Sequence, residues 1–317
     1  MNNKINSALS QEPTFKPKYT FLVQDPALAP VEPPEFTIEG MAAKGRVTVI
    51  AGPPGSGKSF LVQYLLQAET NPILKTNLHR AFYLTGADAS EEDLRIRARQ
   101  LVYAGHGNLL TTYLEDPDIL TLASNSDFMQ SLTYHLIENK ISAVVFDTVR
   151  DYYDGDSKEA MIANKTMVEF RKLAERARVS VILITHTRKA AAGKNEIKIE
   201  DVADSRIFTS KADFVFGLQH EYRDDQTTLV QIINLKTRGA RPLPRIRYLV
   251  KDVNDMVHFE ITDHLFSWES EIRDKKLERQ FRDDKIRKMR RDGVTVEEIA
   301  KEIGVSRQTI HKILKEG

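Results

Sequence analysis

The 317-residue chain has no cysteine, a single tryptophan and a formal net charge of only +1. Without thiols it can build neither a disulfide framework nor a thiolate metal site, which agrees with a reducing compartment. A charge so close to zero points to no nucleic-acid or membrane partner for the chain as a whole. No apolar run approaches the roughly 18 residues that cross a bilayer, and Met1 to Ser10 is polar with no apolar signal core. Also missing is the Cys/His metal cluster that a primase or nuclease module would carry. These absences lead to the expectation of a soluble, cytoplasmic protein with no membrane partner. Its 41% hydrophobic residues suffice for one large core and a small second one.

What the chain does contain is organised around one stretch. Arg46-Val47-Thr48-Val49-Ile50 is a β-like apolar run, Phe60 to Leu66 is helically periodic, and between them stands Gly52-Pro53-Pro54-Gly55-Ser56-Gly57-Lys58-Ser59. Strand, Gly-rich loop and helix in that order are the context of a P-loop. The spacing has a chemical reason: glycines let successive backbone N–H groups curl around a polyphosphate at a helix N-terminus, where the dipole favours negative charge. Lys58 is expected to reach the β- and γ-phosphates, and the Ser59 hydroxyl to ligate Mg²⁺. The expected ATP-binding set is Gly52, Pro53, Pro54, Gly55, Ser56, Gly57, Lys58, Ser59 and Phe60. A mere tight turn between strand and helix would not need Lys-Ser at its end.

Residues 1–34 are Pro-rich, with Pro26, Pro30, Pro33 and Pro34 breaking any helix, and read as an N-terminal arm. Alternation returns at Glu35 to Met41, which predicts an edge element. Apolar runs over 46–50, 81–85, 143–147, 180–185 and 212–218 alternate with helical patterns after the P-loop and over 90–103 and 164–178. This predicts an α/β domain over 35–262, a mainly parallel sheet with helices on both faces. Over 228–234 and 245–249 the pattern turns to period two, as in hairpin strands that extend the sheet antiparallel at one side. Residues 263–282 are charge-dense and read as a helical connector, anchored on the core by Trp268.

Residues 283–317 form a small all-α unit. A basic helix over 284–291 ends near Gly293, Thr295 caps a helix over 296–303, Gly304-Val305-Ser306 turns the chain, and Ser306 caps a helix over 307–315. Ile299, Ala300, Ile303, Val305, Ile310 and Ile313 fall in register for one core, the pattern of a helix-turn-helix. From Arg279 to Glu316 there are eleven Lys/Arg against seven Asp/Glu, so this end is basic although the chain is not. Duplex DNA is the expected partner, met by Ser306, Arg307, Gln308 and Thr309 at the start of the second helix, with His311 and Lys312 one turn on. A helical hairpin that serves only oligomer contacts is the competing reading.

Val144-Val145-Phe146-Asp147 is an apolar strand ending in an acid, which such a strand delivers beside the P-loop to hold Mg²⁺. The next strand pattern ends in His186-Thr187-Arg188-Lys189, where His186 is placed to touch the γ-phosphate and pass its presence to the long loop over 190–204. Taken with Gly52 to Ser59, Asp154-Gly155-Asp156, Leu173-Ala174-Glu175-Arg176 and Ala212-Asp213, these residues resemble the RecA-fold ATPases of the plasmid RepA-like hexameric helicase family, relatives of the DnaB helicases. The resemblance covers about residues 35–255. It implies a RecA-type P-loop NTPase, a homo-oligomeric ring of usually six subunits, ATP between neighbours and single-stranded DNA through the centre. It also implies that Lys236 and Arg238, similar to the Lys-x-Arg pair of such rings, reach into the next subunit's ATP site, with an arginine finger stabilising charge there. On residue type alone they are equally outward residues of an edge strand. The C-terminal unit lies outside this resemblance and looks like resolvase-type or regulator modules.

One position departs from the family. A glutamate usually ends the strand after the P-loop helix and orients the attacking water; in Tyr83-Leu84-Thr85-Gly86-Ala87-Asp88 its place falls to Ala87. Asp88 becomes the candidate catalytic carboxylate, with Glu91 or Glu92 as alternatives, and hydrolysis is sensitive to about 1 Å in such placement. Two functions are therefore open. One is a ring ATPase that moves on or unwinds DNA, the replicative helicase of a plasmid or other mobile element. The other is a helicase loader or regulator that ATP switches and that hydrolyses slowly.

Overall fold

The computed structural model describes residues 33–67, 73–85, 91–101, 109–113, 126–152, 160–188, 196–203, 206–222, 227–253, 256–265, 282–283 and 285–315. The arm through residue 32, Ala87 and Asp88, Asp154 to Asp156, most of the 190–204 loop, and the connector from residue 266 with Trp268 lie outside the described residues.

Strands β1 (Phe36–Ile38) and β2 (Ala42–Ala43) pair antiparallel and supply the edge element expected at 35–41. A nine-stranded sheet follows, made of β3 (Val47–Gly52), β4 (Ala81–Thr85), β5 (Leu109–Tyr113), β6 (Ala143–Asp147), β7 (Ser180–His186), β8 (Phe214–Tyr222), β9 (Thr227–Thr237), β10 (Arg245–Val253) and β11 (Met256–Leu265). Their spatial order is β11-β10-β9-β8-β3-β7-β6-β4-β5. From β8 to β5 every pairing is parallel, while β8 to β11 form an antiparallel extension. The α/β architecture with a mainly parallel sheet is thus the one the sequence predicts.

The helices α1 (Lys58–Gln67), α2 (Glu91–Gln100), α3 (Ser126–Glu138), α4 (Ala160–Ala177) and α5 (Arg206–Lys211) join these strands. On one face of the sheet, Leu61, Val62 and Leu65 of α1 bury Ile50, Ile184 and Phe216. On the other, Leu136 of α3 and Met167 and Phe170 of α4 bury Val49, Phe146 and Leu183. At about 1.5–3 kcal/mol for each fully buried side chain, these two layers fix the sheet's register, and with it the loops at its edges. Three elements were not anticipated: β5, α3 and β11. Strand β11 also runs to Leu265, so the first residues of the segment read as a helical connector are strand.

At the C-terminus α6 (residues 285–291), α7 (Val296–Ile303) and α8 (Arg307–Lys315) enclose their own core of Ile286, Ile299, Ile310 and Ile313. Thr295 caps α7 in a capping box with Glu298, and Gly304 ends it at φ 74°, a left-handed value that suits glycine.

Candidate functional site

The parallel register brings the predicted chemistry to one edge. Gly52 pairs with His186, Ala51 with Thr185, and Asp147 sits between Ile184 and Thr85, all at the C-terminal ends of their strands. From Gly52 the loop turns into α1, with Gly55 and Gly57 at φ 73° and 79°. A side chain on Gly52 would meet the Leu218 carbonyl oxygen and Ser56 Oγ at 2.6 Å, so the loop rests tightly on β8. Ser56 Oγ is buried without a hydrogen-bond partner among the described residues, an acceptor-seeking hydroxyl inside a loop of N–H groups. That is the setting a phosphate fits.

Lys58 is buried, and its Nζ donates to the carbonyls of Gly52 at 3.1 Å and Pro53 at 2.9 Å. Burial lowers its pKa to about 8, with Asp147 offsetting part of the effect. Ser59 Oγ donates to Asp147 Oδ2 at 2.6 Å, and the Tyr83 hydroxyl donates to the same oxygen at 2.5 Å. Tyr83 is fully buried on β4, and its pKa is raised by burial first and then by Asp147, so it stays a donor. Sequence reasoning missed Tyr83, since nothing in a strand marks one tyrosine as more than core. A hydroxyl and a carboxylate oxygen meeting beside the phosphate loop are hard ligands of the kind Mg²⁺ takes together with substrate phosphates. Among the described residues no cluster of three or more His, Cys, Asp or Glu offers a rival metal site.

His186 ends β7 beside Gly52, and its carbonyl accepts from Ala203 N–H at 2.8 Å, which ties the strand end to the far side of the following loop. His220 was not singled out from the sequence. It lies on β8 beyond the last β3 pairing, where burial and then the Lys58 charge lower its pKa. The position of Asp88 lies outside the described residues.

Lys236 and Arg238 are at the opposite edge. Thr237 pairs with Phe214, and Phe214 with Thr48, near the start of β3, whereas the P-loop leaves its far end at Gly52. The two edges are about 13 Å apart along β3. Lys236 Nζ donates to the carbonyls of Thr209 at 2.8 Å and Ser210 at 2.7 Å, closing the C-terminus of α5. Its pKa is lowered, mainly by burial and then by the Arg238 charge. Arg238 is exposed, and its guanidinium reaches only the Ser210 carbonyl at 3.5 Å.

In the C-terminal unit Ile310 and Ile313 face inward, which leaves Arg307, Gln308, His311 and Lys312 on one exposed face of α8. Ser306 and Thr309 are engaged locally: Ser306 Oγ accepts from Thr309 N–H at 3.2 Å and lies 2.8 Å from Thr309 Oγ1. Arg307 pairs with Glu297 of α7 at 2.8 Å.

A family profile described as an AAA domain matches residues 11–192, more than half of the chain. The chain belongs to the AAA domain family. The P-loop, Asp147 and His186 of this AAA domain fall inside the matched span, while Lys236 and Arg238 lie beyond it. A second profile, the helix-turn-helix domain of resolvase, matches residues 273–317. The chain therefore joins a P-loop ATPase domain to a helix-turn-helix of a DNA-binding kind. No curated protein matches it. No described helix is long and apolar enough to cross a membrane.

Proposed function

We propose that this AAA domain is a ring-forming ATPase acting on DNA, the replicative helicase of a plasmid or other mobile element, with each ATP shared between neighbouring subunits. The observation that carries the reading is the separation of the P-loop and Arg238 at opposite edges of one sheet. Arg238 is too far from the ATP of its own chain, and its exposed guanidinium is free to meet a neighbour's. Lys236 supports it from within, because its two bonds to α5 hold the end of β9 in place.

In this mechanism the P-loop N–H groups and Lys58 hold the phosphates. Mg²⁺, when bound, neutralises charge on the β- and γ-phosphate oxygens. Ser59 and Asp147 hold the ion, and Tyr83 keeps the Asp147 carboxylate aimed. His186 reads the γ-phosphate, and Asp88 takes the water-orienting place that Ala87 leaves empty of a carboxylate. Arg238 of the neighbour stabilises charge on the transferring phosphoryl group. A six-membered homo-oligomer encircling single-stranded DNA fits this division of labour, with α8 docking the assembly on duplex DNA. Mixing Arg238→Ala with Lys58→Ala subunits tests it: some interfaces then carry neither defect, so DNA-stimulated phosphate release should exceed that of either parent. Mixtures no more active than the parents would remove the shared site.

The second reading, a loader or regulator switched by ATP, is favoured by Ala87 alone. ATP-dependent DNA binding with negligible turnover would select it.

A further inference from the structure

Beside the P-loop lies a cleft of about 280 Å³ that the nucleotide motifs leave unexplained. Gly55, Gly57 and Phe60 form one wall. The other is built from the antiparallel extension, by Val230 of β9, Tyr248 and Val250 of β10, and Val257 and Phe259 of β11. Cross-strand pairing of Val230 with Tyr248 and of Val250 with Phe259 sets these side chains on a single face. The floor is rigid: Phe259 stacks on Tyr64 of α1 with ring centroids 4.0 Å apart and lies 5.7 Å from Tyr248.

We propose that this cleft receives the nucleoside of the triphosphate and holds it by stacking and apolar contact, so that the enzyme discriminates only weakly between adenine and guanine. The inference rests on the P-loop binding the phosphates. Its walls begin at the same Gly55 and Gly57, so a ligand leaving the phosphate loop on this side enters the cleft directly, and a flat base matches an aromatic floor. Selection between purines needs a buried group that can only donate or only accept, because the wrong base then leaves it unpaired. The polar side chains at the cleft are Ser56, Gln100, Thr228 and Tyr248. Each of these can both donate and accept, so either purine edge is satisfied. Pyrimidines offer less surface to stack and bind more weakly.

The test measures binding of ATP, GTP and tripolyphosphate to the full chain by calorimetry. Tripolyphosphate occupies the P-loop and has no base. Wild type should bind ATP and GTP within about fivefold of each other. Val257→Trp, which fills the cleft from its rim, should weaken both nucleotides at least tenfold and leave tripolyphosphate unchanged. Should that variant lose all three ligands, Val257→Phe is judged by the same criterion. Unchanged ATP affinity in the filled cleft, or a preference of more than a hundredfold for one purine, overturns the base site while the P-loop assignment stands. A wild-type chain that binds neither ATP nor tripolyphosphate overturns the nucleotide reading itself.

Discussion

Lys58→Met should abolish nucleotide binding yet leave the ligand-free protein more stable at pH 7. Lys58 is 6% exposed, and burial takes its pKa from 10.5 to about 8. Keeping that ammonium charged in the folded chain therefore costs about 3 kcal/mol relative to the unfolded one. Opposing this are two hydrogen bonds, to the Gly52 and Pro53 carbonyls, worth about 1 kcal/mol each. Neither carbonyl is orphaned by the substitution, since Gly52 O also accepts from Thr187 N–H and Pro53 O from Ser56 N–H. Methionine fills most of the same volume, so a net gain of about 1–2 kcal/mol is expected. The pH dependence follows from the direction of the shift. The folded value lies below the unfolded one, so between pH 8 and 10.5 the unfolded chain holds a proton that the folded chain has released. Native stability then rises with pH across that window, while Lys58→Met lacks this rise and its advantage closes. Urea unfolding of both proteins from pH 7 to 10, with an ATP titration at pH 7, measures the difference. A variant less stable than the native chain by more than about 1 kcal/mol at pH 7, or a gap that does not narrow toward pH 10, would refute the reasoning.

Tyr83→Phe removes one of two donors to Asp147 Oδ2; the Mg²⁺ needed for half-maximal nucleotide binding should rise about tenfold, while ATP binding in EDTA stays the same. Equal losses with and without Mg²⁺ would make Tyr83 a packing residue only. Ala87→Glu should speed phosphate release if a water-orienting carboxylate is what the site lacks, whereas Asp88→Asn abolishing an already brisk activity would assign that work to Asp88. Arg307→Ala should relax sequence preference at one base pair and Lys312→Ala should weaken all duplexes alike, read by competition binding at two salt concentrations. Releasing Arg307 from Glu297 costs little because both ends are exposed, so a guanine contact worth about 1–3 kcal/mol prevails over an ion pair worth about 1 kcal/mol or less.

The readable parts of the fold are those in which one local pattern suffices. Val47 to Gly52 and Val144 to Asp147 are continuous apolar runs because they are buried on both faces, and few structures besides a covered parallel strand produce such a run. Thr295 with Glu298, and Gly304 after Ile303, announce α7 because capping chemistry is confined to a few consecutive residues. Strand β5 was invisible for the converse reason: Leu109-Leu110-Thr111-Thr112-Tyr113 is a short edge strand with too little apolar content to stand out. Alternation at Val257, Phe259 and Ile261 was legible, but its meaning was not, because the cleft forms only where three strands distant in sequence bring one face each to the P-loop. The same limit separates Lys236 from Arg238. Two residues apart on a strand they share a face, and from spacing alone both should reach outward together. In the structure α5 intercepts the first with two carbonyls and leaves the second exposed. A helix C-terminus attracts whichever cation can reach it, and the shorter, more compact ammonium of Lys236 fits beneath Ser210 where a guanidinium would not. The arginine is therefore the member of the pair left available to a neighbour, a division of roles that depends on a helix some thirty residues upstream rather than on the motif itself.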